Sequence, residues 1–271
     1  MPRYDQHFLA SEKILDLVIR AVDPRPGEEV LEIGPGRGVM SMRLLAAGVR
    51  LKAVEIDSRM ALGLRGRFAG HPDFELIEAD FLETDLGALG RPHKVVGNLP
   101  YSVATPILQR LLGWRVDGPG EGGGIPWSLA VLMFQKEVVD RILAGPGSRD
   151  YGLLSLSVRM HAEAEEICRV PPSSFSPPPK VDSAVVRLIP RTRPFLPADL
   201  SEQDFFRIGK GAFMHRRKKA SKSLSMALGL SKDAVEKAFA CAELPPDVRA
   251  EDIPPESFIA LSRALAPGFR S

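Results

Sequence analysis

Across its first 190 residues the chain alternates short apolar runs with segments of helical periodicity, and this alternation restricts the fold more than any other feature. Such an order packs most readily as a parallel sheet with helices on both faces. Ser11 opens a helix carrying Ile14, Leu15, Val18 and Ile19 at helical spacing. Strands are predicted at residues 28–33, 51–56, 74–77, 94–97 and 129–134, with later ones at 165–170 and 184–189. Helices are predicted to follow at residues 39–45, 58–68 and 137–143, and a proline-rich stretch from Ser173 to Lys180 joins the last two strands.

Beyond Pro190 the pattern changes. Pro194 and Pro197 mark a linker, and short helices are predicted at about residues 201–214, 219–229, 231–240 and 256–266, broken by Pro245, Pro246, Pro254 and Pro255. Two domains are expected, at residues 1–190 and 191–271. The run Gly118 to Gly124 does not lead from a strand into a helix, so it reads as an inserted surface loop rather than a phosphate cradle.

Composition narrows the class. With 44% hydrophobic and 26% charged residues, the chain buries a core and is not disordered or coiled-coil. No apolar run approaches the roughly 20 residues of a membrane helix. Residues 1–5 hold no secretory-type apolar stretch. Cys168 and Cys241 suit neither a disulfide scaffold nor a metal site. A soluble cytoplasmic protein is expected. Charge is regional: residues 191–271 carry 14 Lys/Arg against 10 Asp/Glu, a net +4, whereas the first 190 come to −2. Lys210, Arg216, Arg217, Lys218, Lys219 and Lys222 cluster without an intervening acid. That is a solvated helix face or the footprint of a polyanion.

The chemistry concentrates at strand ends. Gly34-Pro35-Gly36-Arg37-Gly38 follows the first strand, where glycines let the backbone turn tightly and approach a ligand. Glu55 ends the second strand 21 residues after Gly34, placed to accept ribose hydroxyls. Asp80 ends the third, placed to accept from an adenine amino group, with Phe81 beside the ring. Taken in order, these groups suit S-adenosylmethionine as cofactor. Asn98-Leu99-Pro100-Tyr101 follows the fourth strand. An adenine exocyclic amine is a poor nucleophile because its lone pair is delocalised. Acceptors on its two hydrogens, the Asn98 side-chain carbonyl and the Leu99 main-chain carbonyl, favour the tetrahedral nitrogen that forms on attack. Pro100 fixes the turn, and Tyr101 offers a stacking face to an extruded base. No strong general base is required, since a methylated ammonium loses its proton readily. Phe175, beside the stiff Pro177-Pro178-Pro179, has two readings: a second stacking face over the same pocket, or a core residue in a rigid connector.

These residues resemble a known family, the ribosomal RNA adenine N6,N6-dimethyltransferases of the small-subunit (16S, KsgA/RsmA) type. The matching stretches are residues 6–9, 32–36, 55–57, 97–101, 135–139, 151–152 and 175–188, with the basic stretch 213–224. The resemblance implies a Rossmann-like class I S-adenosylmethionine-dependent methyltransferase domain with a small all-helical carboxyl-terminal domain. It implies methyl-donor contacts at His7, Leu9, Gly34, Glu55, Asp80 and Asn98, to which the strand-end reading adds Gly36 and Phe81. It also implies dimethylation of two adjacent adenosines in a hairpin near the 3′ end of 16S rRNA, on a pre-30S subunit, with the helical domain docking on the RNA. The family usually carries Asn where this chain has His7, so the backbone role is what carries over there. The segment before Gln6 is short, and a basic amino-terminal extension is not expected. A monomer is. Three rivals stand: the 23S rRNA methyltransferases of macrolide resistance, which look more like Asn-Ile-Pro-Tyr; a non-catalytic RNA-binding assembly factor; and a glutamine- or DNA-amine methyltransferase. Leu99, the triple-proline loop and the intact donor residues favour the small-subunit enzyme.

Overall fold

The computed structural model describes residues 6–115, 118–119, 127–193 and 195–266. Residues 1–5, Pro194 and the 120–124 part of the expected glycine-rich insertion lie outside them. Packing divides the chain into two units. The first comprises residues 1–116, 120–139 and 162–190; the second comprises 117–119, 140–161 and 191–271. The second therefore takes residues 140–161 from ahead of the boundary expected near residue 190.

The first unit is built on seven strands: β1 (Glu29–Ile33), β2 (Arg50–Glu55), β3 (Phe74–Glu78), β4 (Lys94–Asn98), β5 (Leu129–Gln135), β6 (Ala162–Val170) and β7 (Ser183–Pro190), in the order β3-β2-β1-β4-β5-β7-β6. Central strands read as near-continuous apolar runs because both faces are covered. Val30, Leu31 and Ile33 of β1 are buried, as are Ala130 to Phe134 of β5. The first five strands pair in parallel. β7 departs from the all-parallel expectation by running antiparallel to both β5 and β6. The reason is the link: residues 171–182 contain no crossover helix, so the chain folds straight back beside β6. Ser183, the first residue of β7, thereby sits opposite Gln135 at the end of β5.

Helices α1 (Glu12–Val22), α2 (Val39–Ala46), α3 (Ser58–Arg67) and α4 (Ala104–Leu111) belong to this unit. Ser11 caps α1 by accepting the Ile14 N–H, and the helix buries Ile14, Leu15, Val18, Ala21 and Val22. The sequence pattern missed α4, since Pro106 resembles a breaker; in a first turn proline loses no intrahelical bond. Strand order reverses at β1, between β2 and β4, and a crevice forms there beyond the carboxyl ends of the strands.

The division falls within α5 (Lys136–Leu143). The second unit contains α6 (Leu153–His161), α7 (Glu202–Phe213), α8 (Ala220–Leu228), α9 (Lys232–Cys241) and α10 (Pro255–Leu265). Its core is aromatic: Phe258 lies 5.7 Å from Phe213 and 6.4 Å from Phe205, ring centre to ring centre. α6 also escaped the sequence reading. Its residues 154–158 are all buried, so it lacks the polar face that produces helical alternation. No helix among the described residues is long and apolar enough to cross a membrane.

Candidate active site

The crevice is lined from successive strand ends, and the turn after β1 sets its floor. Gly36 has φ 54°, and a Cβ there would lie 2.9 Å from the Phe8 ring. Gly38, at φ 72°, is the residue before α2, and its Cβ would meet Leu64 at 2.7 Å. Both positions demand glycine on two counts, conformation and space.

At the end of β2, Glu55 is 3% exposed. Its Oε2 accepts the Gly36 N–H at 2.9 Å and its Oε1 accepts the Asp57 N–H at 2.8 Å. Burial pushes this carboxyl above its ordinary range; the two backbone donors oppose the shift and the Asp57 charge adds to it. Each oxygen keeps a second lone pair, the acceptor pair that a vicinal diol requires. Asp80 uses Oδ1 to accept the Leu82 N–H at 2.8 Å. Phe81 beside it is buried, with the Arg110 guanidinium 5.9 Å from its ring centre. Leu9, Gly34, Gly36, Glu55, Asp80, Phe81 and Asn98 all line this one cavity, as do His7, Leu99, Pro100 and Tyr101.

The turn after β4 is held by the chain's first described residues. Asn98 Nδ2 donates to the His7 carbonyl at 2.9 Å. That bond identifies the nitrogen end of the amide and leaves Oδ1 to accept. Leu99 is buried, and the Tyr101 hydroxyl pairs with the Ser183 hydroxyl at 2.6 Å. Burial raises the pKa of the Tyr101 hydroxyl, partly offset by the Ser183 hydrogen bond, so it stays a neutral hydrogen-bonding group.

Phe175 takes the core reading, and its placement as a second stacking face is corrected. Phe8 and Leu9 form a short strand paired antiparallel with Ser176 and Phe175, and the Ala10 and Ser11 N–H groups both donate to the Ser174 carbonyl. This pairing sends Ser176 outward and Phe175 inward. Phe175 is 4% exposed, packs in a core with Ile14, Leu15, Val170 and Val185, and does not line the cavity.

Glu32 was missed. It is fully buried in β1 and lines the cavity. Its Oε2 accepts the Ser41 hydroxyl at 2.5 Å, whereas Oε1 has no partner. Burial pushes its pKa up to about 7, against the Ser41 hydrogen bond and with help from the Glu55 charge. The available signal was an acid inside the apolar run Val30-Leu31-Glu32-Ile33. An orphaned buried carboxylate oxygen facing a cavity calls for a cationic or hydrogen-bond-donating group.

The basic cluster lies in the second unit, on α7, α8 and the turn between them. Lys210, Arg216, Arg217, Lys218, Lys219 and Lys222 are exposed, and Lys218 donates to the Met226 sulfur at 3.4 Å. Arg216 is also tied to its own unit: its Nη2 donates to the main-chain carbonyls of Arg149 and Tyr151 at 2.6 and 2.9 Å, with Glu251 at 3.6 Å. It satisfies carbonyls of the turn before α6 through that one nitrogen, while its side chain stays 45% exposed.

The chain is similar over nearly its whole length to known proteins. A family model described as ribosomal RNA adenine dimethylase matches residues 1–266. A ribosomal RNA small subunit methyltransferase A from Synechococcus sp. (strain JA-3-3Ab) is 42% identical over 269 residues, covering 97% of this chain and 92% of the relative. The protein of the same name from Geobacter metallireducens is 40% identical, with 96% and 93% coverage. Among solved structures, a dimethyladenosine transferase from Plasmodium falciparum superposes with a TM-score of 0.77 at 26% identity, over 96% of this chain and 98% of that one. The 23S rRNA methyltransferase ErmE gives 0.70 at 27% identity, over 96% and 99%.

Proposed function

The chain belongs to the ribosomal RNA adenine dimethylase family, and from that membership we infer that it is an S-adenosylmethionine-dependent enzyme that dimethylates adenine N6 in small-subunit (16S) rRNA. At finer grain, we propose two adjacent adenosines of a hairpin near the RNA's 3′ end as targets, on a pre-30S particle, by a cytoplasmic monomer.

The observation that carries this reading is the Asn98 amide pinned through its nitrogen to the His7 carbonyl, which presents its oxygen to an incoming amine. When bound, S-adenosylmethionine supplies an electrophilic methyl on a sulfonium. The chain's own residues suit that donor: Glu55 has two lone pairs for a ribose diol, Asp80 a carboxylate oxygen for an adenine amino group, and Glu32 an unpaired oxygen for an ammonium. On the acceptor side, Asn98 Oδ1 and the Leu99 carbonyl take hydrogen bonds from the two N6 hydrogens. Those bonds draw the nitrogen toward a tetrahedral shape and stabilise its growing positive charge more than the planar ground state, which is how they accelerate transfer. Tyr101, fixed by Ser183, gives the extruded base its stacking face. The ammonium product then releases a proton to water.

Large-subunit RNA is the competing substrate, since the 23S rRNA methyltransferase shares the fold. The curated relatives near 40% identity, named for the small subunit, and Leu99 in the reactive turn support the small-subunit assignment. The test is mass spectrometry of adenosines after incubating undermethylated 30S and 50S subunits with enzyme and donor. Dimethyladenosine in 30S alone is expected; modification confined to 50S overturns the reading.

A further inference from the structure

We infer that the His7 side chain serves the acceptor base: it is a positioning residue that buttresses Tyr101 from one side and ties the reactive turn to the proline-rich segment. The inference rests on the methyltransferase reading above and adds a side-chain role to a residue that the resemblance tied to the donor through its backbone.

Three contacts carry it. The His7 ring centre lies 5.7 Å from that of Tyr101, tilted by 31°. His7 Nδ1 lies 2.9 Å from the Pro177 carbonyl. A carbonyl only accepts, so Nδ1 carries the hydrogen and the ring is oriented by that bond. The His7 carbonyl takes the Asn98 Nδ2 hydrogen. One residue thus touches both ends of Asn98-Leu99-Pro100-Tyr101 and anchors itself on the segment before β7.

His7 lines the same cavity as the donor residues, but its ring lies against Tyr101. Phe8 turns its ring against Gly36 and under the Arg37 guanidinium, 4.4 Å from the ring centre. Neighbouring side chains on an extended segment point to opposite sides. His7 accordingly faces away from the glycine turn, toward Tyr101. With Phe175 in the core, no second aromatic of that loop lines the cavity, and stacking depends on how firmly Tyr101 is held. The Ser183 bond fixes its hydroxyl end and the imidazole covers one side, leaving the other for the base.

The test uses the full-length enzyme with His7→Ala, His7→Asn and His7→Phe. Donor affinity is measured by calorimetry without RNA, and methyl transfer by single turnover on undermethylated 30S subunits at saturating donor. Donor Kd is expected within about twofold of wild type in all three, while transfer falls about tenfold in His7→Ala, because a small misplacement of the base is costly at the reacting atoms. His7→Phe, which keeps a ring, recovers most of the rate; His7→Asn, which keeps only a donor for Pro177, does not. A donor Kd weakened about tenfold with unchanged saturated transfer overturns the inference, as does a His7→Ala rate equal to wild type. His7→Asn outperforming His7→Phe overturns the buttress. A wild-type enzyme that makes no dimethyladenosine on 30S instead removes the functional reading itself.

Discussion

Asn98 and His7 meet at 2.9 Å, side-chain nitrogen to main-chain oxygen, so the Asn98 amide is oriented by a backbone group 91 residues away in sequence. Asn98→Asp retains an acceptor but sets a carboxylate against that carbonyl. Both Asn98→Ala and Asn98→Asp are expected to lower kcat by about 100-fold or more, as for loss of a preorganised transition-state hydrogen bond. Calorimetry should still detect donor binding in Asn98→Ala. Near-normal turnover in either variant removes the amide from the mechanism.

Glu32 makes a pH-dependent prediction. Its folded pKa, raised to about 7 from 4.5, means that the folded state holds a proton that the unfolded chain has released. The unliganded enzyme should lose stability as pH rises from 4.5 through 7, and Glu32→Gln should flatten that slope and melt a few degrees higher above it. The same variant should bind donor at least about tenfold more weakly, because an amide cannot pair with an ammonium as a carboxylate does. Unaltered donor affinity would place the amino-acid end of the donor elsewhere.

The basic cluster separates into two kinds of residue. Arg216→Ala removes the donor that the Arg149 and Tyr151 carbonyls share and is expected to cost about 1 kcal/mol of stability, read as a lower melting temperature. Neutralising Arg217, Lys218 and Lys219 should act on binding alone. Stability stays, and the slope of log affinity for 30S against log salt falls by about one for each phosphate that is no longer neutralised. An unchanged slope makes the cluster a solvated face.

His161 and Glu202 lie 3.1 Å apart in the second unit, and His161 also contacts the Ser157 carbonyl at 2.8 Å. Burial alone lowers the imidazole's pKa; the Glu202 hydrogen bond, the Ser157 carbonyl and the Glu202 charge outweigh it, and the value rises above 6.5. The pair therefore stabilises fully below pH 6.5 and loses that contribution as pH climbs through the raised folded value. Melting temperatures of wild type and Glu202→Gln should converge at high pH and differ by a few degrees below about pH 6. A constant difference across the range assigns the bond to a neutral imidazole.

Strand ends were legible because the β/α alternation dictates where each strand stops, and Gly36, Glu55, Asp80 and Asn98 follow from that order alone. What stayed hidden depended on partners distant in sequence. Phe175 faces the core because Leu9 pairs beside it, and Arg216 is tied down because two carbonyls near residue 150 take its Nη2 hydrogens. Glu32 was concealed by its strand, whose apolar neighbours read as core. Helix α6 has no solvent face to give it a period, and the reversal of β7 is decided by a link without a helix.

That reversed strand gives the crevice a separate supply line. The parallel strands reach this rim with their closing residues and the turns that follow, as Glu32, Glu55 and Asn98 do. β7 enters at the rim, so Ser183 arrives first and the residues just ahead of it, Pro177 among them, are already alongside Tyr101 and His7. Insertions or deletions in the 178–182 approach would reshape the substrate mouth without shifting a single donor-binding group, leaving substrate preference free to diverge while the methyl-transfer apparatus stays put.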